Sequence, residues 1–176
     1  MKSKWAWALL VIVLGAGVYG GVVLATPATG QTTTTLAKAT VGDLDLRGQA
    51  LTTTVGRDGK EHPNGVWLSW IKTHSDSDLY VIDNKFVAGG SSGWHSHPGP
   101  SIIFVVAGTV TNYTSDEPGC APQTYTAGQS LVDPGGDDMH MLRNEGSVTA
   151  ETIAVQFLPQ GATRRIDEPA PAGCPS

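Results

Sequence analysis

The chain has 176 residues, a formal net charge of −5 and a sequence pI of about 5.4. A chain of this length favours one domain with extensions. Charged residues amount to only 15% and no basic tract occurs, which argues against nucleic acid as a partner.

The N-terminus, residues 1–25, has the composition of an export or anchor segment. Lys2 and Lys4 precede an uncharged apolar run from Trp5 to Ala25, which is predicted to be a hydrophobic helix. A cleaved signal peptide has a charged start and an apolar core, and about 20 apolar residues are enough to span a bilayer. Residues 1–25 are therefore predicted to be either a signal peptide or a transmembrane anchor. Both alternatives place the following domain outside the cytoplasm, secreted or held by a single membrane pass.

The rest of the chain divides by composition. Residues 26–40 are Thr-rich and without periodicity, which predicts a linker, and residues 160–176 form a tail rich in Pro and Ala. Between them, residues 41–159 alternate short strand-like runs with turn residues. Eight strands are predicted: Ala50–Val55, Val66–Lys72, Leu79–Val87, Ser101–Val106, Thr109–Tyr113, Gln129–Asp133, Met139–Asn144 and Thr149–Leu158. Many short strands without a helical period predict an all-β sandwich or barrel.

The two cysteines, Cys120 and Cys174, bear on how the tail is held. An even number of cysteines in an exported chain predicts one disulfide, which would fasten the tail to the folded body. Two free thiols are the alternative.

Histidines suggest where chemistry could occur. His95 and His97 are two apart, so on a strand both side chains point to one face. Neutral imidazole is a common metal ligand, and three protein ligands with open positions are typical of a catalytic site. Two histidines at this spacing are weak support on their own, because surface and core histidines are common. His62 and His74 are predicted to be surface residues.

Two stretches together resemble the paired motifs of the cupin superfamily. The first motif runs Gly, five residues, His-x-His, three or four residues, Glu, six residues, Gly, and it matches His95, His97 and Gly108. The second runs Gly, five residues, Pro-x-Gly, two residues, His, three residues, Asn, and it maps onto Gly128, Pro134, Gly136, His140 and Asn144. The resemblance spans about Asp78 to Leu158. It implies a single cupin-type barrel, a double-stranded β-helix of jelly-roll form.

The resemblance also implies a divalent transition metal held by His95, His97 and His140. Iron, zinc, nickel, manganese and copper are all candidates, because ligand type alone does not choose among them. Two departures from the motifs stand out. Ser101 occupies the place of the family's glutamate, and the interval between Gly136 and His140 is one residue longer than the motif. Asp138 is one hypothetical substitute for the missing carboxylate, with a solvated loop aspartate as the alternative.

More narrowly, the chain is similar to small exported bacterial cupins with TGWHSHPGP-like and RNE-like segments. These proteins carry one cysteine after the first motif and another near the C-terminus, as Cys120 and Cys174 are placed here. That similarity supports the predicted disulfide and implies no particular substrate.

Apolar and aromatic residues give further expectations. Strand parity places Ile103 and Val105 on the face of the first histidine pair, and Leu142 beside the third histidine. Such an apolar wall favours a small apolar or aromatic ligand over a polyanion. Trp67 and Trp70 are three apart on one predicted strand and face opposite sides, so one of them is predicted to pack in the core.

Two functions remain open from the sequence. The first is a metal-dependent cupin that catalyses a small-molecule reaction such as dioxygenation or isomerisation, with no catalytic acid or base assigned. The second is a non-enzymatic ligand-binding or interaction module at the cell surface. No G-x-S-x-G elbow is present, so nucleophilic hydrolysis has no support. The family resemblance implies a homodimer, and the N-terminal segment implies membrane attachment if it is not cleaved.

Overall fold

A computed structural model describes residues 24–176, which form an all-β structure with one short 3₁₀ turn, Pro118–Cys120. The predicted N-terminal hydrophobic helix lies almost wholly outside these residues. Within the described residues, no helix has the length and apolar character needed to cross a bilayer. The strands are β1 (Thr29–Val41), β2 (Asp45–Val55), β3 (Glu61–Lys72), β4 (Ser77–Ser91), β5 (His95–Ser96), β6 (Ser101–Ala107), β7 (Thr109–Thr114), β8 (Gln123–Thr126), β9 (Ser130–Asp133), β10 (His140–Arg143), β11 (Ala150–Pro159) and β12 (Ile166–Asp167).

Ten of these strands build a nearly closed antiparallel barrel. One half runs in the order β9-β6-β11-β4-β1, and the other runs β8-β7-β10-β5-β12. The halves meet where Arg143 of β10 pairs with Ser91 at the end of the long strand β4. The predicted all-β barrel is therefore confirmed, and it places β5, β9 and β10 near one another.

All eight predicted strands are present, with boundaries that differ by a few residues. Strands β1, β5, β8 and β12 were not predicted. The prediction of a linker over residues 26–40 is wrong from Thr29 onward, because β1 pairs with β4 along its length, from Thr29 opposite Ser91 to Val41 opposite Ser77. Threonine is β-branched and favours a pleated strand even where an apolar period is absent.

The core lies inside the barrel and follows the period of two. Along β6, the side chains of Ser101, Ile103 and Val105 are buried. The alternate residues Ile102, Phe104 and Val106 face outward. The inward residues join Ile82 and Phe86 of β4 in the main core cluster. Burying an aliphatic or aromatic side chain of this size contributes roughly 1.5–3 kcal/mol. This core fixes the strands that carry the polar residues at one end of the barrel.

The C-terminal tail is tied to the body as predicted. Cys120 and Cys174 form a disulfide across 54 residues, with their Cα atoms 5.5 Å apart. Trp94 is fully buried in a second core cluster with Cys120, and its indole Nε1 donates a hydrogen bond to Pro175 O at 2.7 Å. The tail therefore covers the residue that immediately precedes the first histidine.

Strands β2 and β3 form a separate two-stranded hairpin. Trp67 and Trp70 face opposite sides of it, as expected, but they are 56% and 59% exposed. The prediction that one of them packs in the core is wrong. The reason is topological, since the described strands of the barrel pair with neither β2 nor β3.

Candidate metal centre

The three predicted histidines meet because two short strands pair at the barrel end. His95 opens β5 and His140 opens β10, and the two residues are direct partners in the antiparallel β5–β10 bridge. His97 follows β5 by one residue. The extra residue between Gly136 and His140 lies in the turn before β10, so it does not disturb this register.

That turn is held against the loop after His97 by backbone contacts. Gly136 N donates to His97 O at 2.7 Å, and Asp133 Oδ1 accepts from Gly135 N at 2.9 Å. Gly135 has φ +73°, and a Cβ built there would lie 2.3 Å from Gly99 O. Only glycine meets both demands. Gly135 and Gly136 therefore act by packing one loop on the other.

The histidine cluster has the dimensions of a metal site. One ligand atom from each of His95, His97 and His140 lies within 4.8 Å of the other two, and all three side chains are buried. The ring centroids of His95 and His140 are 4.4 Å apart, and those of His95 and His97 are 4.8 Å apart. Three imidazoles that converge in this way supply the protein ligands of a site for one metal ion.

Two of the rings are oriented by backbone carbonyls. His95 Nδ1 donates to Gly93 O at 2.9 Å, and His97 Nδ1 donates to Arg164 O at 2.6 Å. Each Nδ1 must carry the proton to donate to a carbonyl, so each Nε2 keeps its lone pair. Outer hydrogen bonds of this kind fix the tautomer and orientation of metal-binding histidines.

The third ring lacks such partners. His140 is 3% exposed, and neither of its ring nitrogens has a hydrogen-bond partner among the described residues. Burial lowers the pKa of His97 and of His140 to about 4, and it lowers the pKa of His95 well below its usual value. All three rings are therefore neutral near pH 7. A neutral imidazole binds a transition-metal ion through a free ring lone pair, which His95 and His140 present, whereas the Gln156 amide nitrogen lies 3.4 Å from His97 Nε2.

Ser101 occupies the place of the family's glutamate, and its short hydroxyl group already accepts a hydrogen bond. Gln156 Nε2 donates to Ser101 Oγ at 2.9 Å, and Arg164 Nη1 donates to Gln156 Oε1 at 3.2 Å. The hypothetical substitute Asp138 is partly exposed and lines a cavity of about 200 Å³, which Asp133 and His140 line as well. The structure does not bring Asp138 into the histidine cluster.

Sequence reasoning missed a different carboxylate, that of Asp133. Its Oδ2 atom lies 3.5 Å from His140 Nε2 and 3.8 Å from His97 Nε2, and the side chain is 4% exposed. Burial raises the pKa of this carboxyl group. Only the strand pairing indicates that this carboxylate belongs near the site, because Asp133 is the direct partner of Ser101 across β6 and β9.

A cavity of about 90 Å³ adjoins the three histidines. Ile103 and Leu142 give it the predicted apolar wall, but Arg164 and Arg165 line it as well. Both arginines come from the tail, which the sequence pattern did not connect with the site. The expectation of a purely apolar or aromatic ligand is therefore not supported by the charge of this cavity.

Comparison with known proteins agrees with this geometry. Residues 85–156 match the family described as Cupin domain, and this match includes His95, His97, His140 and Asn144. The match covers this part of the chain, less than half of its length, and marks it as similar to a cupin domain. No protein among those with curated descriptions matches the sequence.

Several solved structures are similar to part of the chain. One is a conserved protein of unknown function from Streptococcus pyogenes, with 22% identity over 47% of this chain and 67% of that chain, at a TM-score of 0.41. A second is an oxalate oxidase, with 22% identity over 51% of this chain and 45% of that chain, at a TM-score of 0.44. A third, from Klebsiella pneumoniae, has a double-stranded β-helix domain, with 19% identity over 51% of this chain and 75% of that chain, at 0.44.

Proposed function

We propose that this chain is an extracytoplasmic single-domain cupin that binds one divalent transition metal through His95, His97 and His140. On this proposal the site catalyses a reaction of the dioxygenase or isomerase type on a small anionic molecule. A bound metal of this kind supplies Lewis acidity or an O₂-binding position. The protein supplies the oriented rings, the enclosed cavity and the positive charge beside it.

The observation that carries the proposal is the state of His140. A buried polar group without a partner is unfavourable, and native proteins rarely leave one unpaired. Here both ring nitrogens of His140 lack partners within the described chain, and the ring lies against His95, whose Nε2 is also free. A metal ion is the partner that satisfies this set of lone pairs together.

The size and charge of the cavity favour a small anion as the substrate. About 90 Å³ holds roughly three waters at about 30 Å³ each. Arg165 is paired with Asp167, whereas Arg164 forms no ion pair with a carboxylate in residues 24–176. A guanidinium group without a carboxylate partner matches the fork geometry of a carboxylate ligand. We therefore expect a compact carboxylate or similar anion.

Elemental analysis tests metal binding directly. The full chain, purified without chelators or a histidine tag, is expected to carry about one equivalent of a transition metal after reloading and dialysis. The His97→Ala variant is expected to carry none. His74→Ala serves as the matched control, because His74 is exposed and outside the cluster. Equal metal content in the parent and His97→Ala proteins would contradict the proposed site.

Anion binding is tested on the Co²⁺-loaded protein by its visible absorption spectrum. Acetate and glycolate are expected to shift the spectrum at lower concentration than neutral acetamide does. In Arg164→Gln the preference for the anions should fall by about tenfold, because one charge-assisted hydrogen bond is lost. An equal response to acetate and acetamide in the parent would argue against an anionic substrate. Screening small carboxylates for metal-dependent O₂ consumption or isomerisation then addresses the reaction itself.

The β2–β3 hairpin favours a second candidate function, that of an interaction module that pairs with a second copy of the chain. One face of the hairpin presents Leu46, Trp67 and Ile71, which are 55%, 56% and 45% exposed. An isolated two-stranded hairpin is marginally stable in water, so this face needs a covering surface. Eleven residues of β2 span about 36 Å, which is longer than the diameter of a small domain.

The same chain offers a surface that suits this face. On the outer side of the barrel, Ile102, Phe104 and Val106 of β6 adjoin Val132 of β9, and they are between 44% and 65% exposed. Two complementary apolar surfaces on one chain permit a symmetric dimer in which each hairpin covers the partner's barrel. The alternatives to this dimer are that the hairpin face binds a different protein or a membrane surface.

Light scattering on the full chain in mild detergent tests the second candidate. Trp67→Ser is expected to weaken the dimer by at least about tenfold, since aromatic residues dominate such interfaces. Trp70→Ser is the matched control, because Trp70 is about equally exposed but lies on the other face, where the guanidinium carbon of Arg47 is 4.7 Å from its ring. A monomeric parent would overturn the pairing.

A further inference from the structure

We infer that Asp133 is the fourth protein ligand of the metal centre and replaces the glutamate that the family carries at the position of Ser101. The inference rests on the proposed function, because it assumes that the three histidines bind a metal. It concerns a residue at an unspecified position of the second motif, directly before Pro134.

The first argument is the distance between ligand atoms. Oδ2 of Asp133 lies 3.5 Å from His140 Nε2 and 3.8 Å from His97 Nε2. These distances are too long for hydrogen bonds. With bonds of about 2.1 Å to nitrogen and oxygen, two ligands of one ion lie about 3.0 Å apart at right angles and about 3.4 Å apart in a tetrahedron. Its Oδ2 is thus within a few tenths of an ångström of the tetrahedral spacing from these two nitrogens, while the group of mutually close ligand atoms comprises the three histidines without Asp133.

The second argument is the state of the carboxylate. Asp133 is 4% exposed, and its Oδ2 has no hydrogen-bond partner in the described part of the chain. Its other oxygen, Oδ1, accepts from Gly135 N at 2.9 Å, so the turn fixes the side chain with Oδ2 directed at the histidines. A buried carboxylate oxygen without a donor needs a cation, and the unpartnered Nε2 of His140 lies 3.5 Å from it.

The third argument is the strand register. Asp133 and Ser101 are partners across β9 and β6, and both side chains point into the barrel. A carboxylate on the neighbouring strand can therefore reach the volume that a glutamate on β6 would fill. Ser101 leaves that volume free because its hydroxyl is short and is bonded to Gln156. The missing carboxylate is supplied from the adjacent strand.

Titration of the full chain with Co²⁺, followed by its visible absorption, tests the inference without any assay of activity. Asp133→Asn keeps the Oδ1 acceptor for Gly135 and removes the charge, so the fold should be retained. We expect Co²⁺ affinity to fall by at least about tenfold in Asp133→Asn and the absorption bands to change. Asp138→Asn, the matched control, should bind as the parent does.

The outcomes separate the two proposals. If Asp133→Asn binds Co²⁺ with the affinity and spectrum of the parent, the inference is overturned and the three-histidine site stands. If the parent binds no Co²⁺, the proposed function fails and the inference fails with it. Circular dichroism with chelator present checks that Asp133→Asn is folded. Should it be unfolded, Asp133→Glu provides the test, because it moves the carboxylate and must alter the Co²⁺ spectrum, and an unchanged spectrum overturns the inference.

Discussion

His95 and His140 are direct partners in the antiparallel bridge between β5 and β10, and their ring centroids are 4.4 Å apart. The two family motifs therefore meet through backbone pairing, because hydrogen-bonded strands hold the Cα atoms of opposite residues about 5.5 Å apart or closer. The surplus residue after Gly136 has no effect on this distance because it lies in a turn. The metal centre is consequently as rigid as the strand pair that carries it.

Replacing His140 by leucine should separate the stability of the metal-free protein from metal binding. The substitution removes two buried nitrogen atoms that have no partner among residues 24–176. We expect the metal-free protein to gain about 1 kcal/mol in the free energy of unfolding. The rise in melting temperature on adding Co²⁺ or Zn²⁺ should disappear. Thermal and urea unfolding with and without metal measure both effects, with His74→Leu as the exposed control. A metal-dependent rise that persists in His140→Leu would contradict this assignment.

The stability of the metal-free protein should fall on acidification between about pH 6.5 and 4. Folding lowers the pKa of His97 and His140 from 6.5 to about 4 and that of His95 well below 6.5, through burial. In this window the unfolded chain binds protons that the folded chain does not, so the free energy of unfolding decreases as pH decreases. Each histidine contributes up to about 1.4 kcal/mol per pH unit. The raised pKa of Asp133 acts in the opposite direction, but it is one group against three.

Urea unfolding at pH 7, 5.5 and 4.5 in the presence of chelator measures this slope. His140→Leu should reduce the slope by about one third, because it removes one of three comparable groups. A stability that is flat over this range, or that rises toward pH 4.5, would show that the rings are not buried in the neutral form.

The sequence predicted most of the barrel because its strands alternate. In β6 and β11 every second residue is buried, and both strands were located nearly to their ends. Strand β1 was missed because its Thr-rich sequence lacks that alternation, and eleven of its thirteen residues, all except Gln31 and Val41, are exposed. For Trp67 the error is the opposite one, because the prediction that it or Trp70 packs in the core is wrong. An aromatic residue on a strand ordinarily packs in a core, but no pattern in the sequence shows that the barrel ends before β2 begins.

The candidate site was predictable only where a motif carries it. The structure brings together His95, His97 and His140, which the motif spacing had singled out. Asp133 and Arg164 reach the same volume through strand pairing and through the tail, respectively. Contacts of this type depend on register and topology, and a single sequence does not specify either of them. Asp138 was considered from the sequence because it lies two residues before His140, beside its interpretation as a solvated loop aspartate. Its place in the turn does not bring its carboxylate into the histidine cluster.

Asn144, the last residue of the second motif, is expected to act on stability and leave the metal ligands in place. Its Nδ2 lies 3.0, 3.1 and 2.7 Å from the carbonyl oxygens of Phe86, Val87 and Val148, and its Oδ1 accepts from Gly146 N at 3.0 Å. Asn144→Ala leaves buried carbonyls without donors, which should lower the free energy of unfolding by about 3 kcal/mol. Chemical denaturation measures the loss. Below the transition, Co²⁺ affinity should stay within about twofold of the parent value, and a large loss of affinity would instead assign Asn144 to the metal centre.

Reduction of the Cys120–Cys174 disulfide should loosen the tail and expose Trp94 while the barrel remains folded. The bond closes a loop across 54 residues, and its loss should cost about 2–5 kcal/mol. Trp94 depends on the tail for the hydrogen bond of its indole to Pro175 O. Adding a reductant is therefore expected to shift tryptophan emission to the red at a urea concentration too low to unfold the barrel. In Trp94→Phe the same addition should give a much smaller shift, since Trp67 and Trp70 are already exposed.

Reduction should also weaken Co²⁺ binding, because Arg164 O holds the His97 ring from the same tail. Unchanged affinity would show that residues beyond Asp167 are not needed to orient that ring.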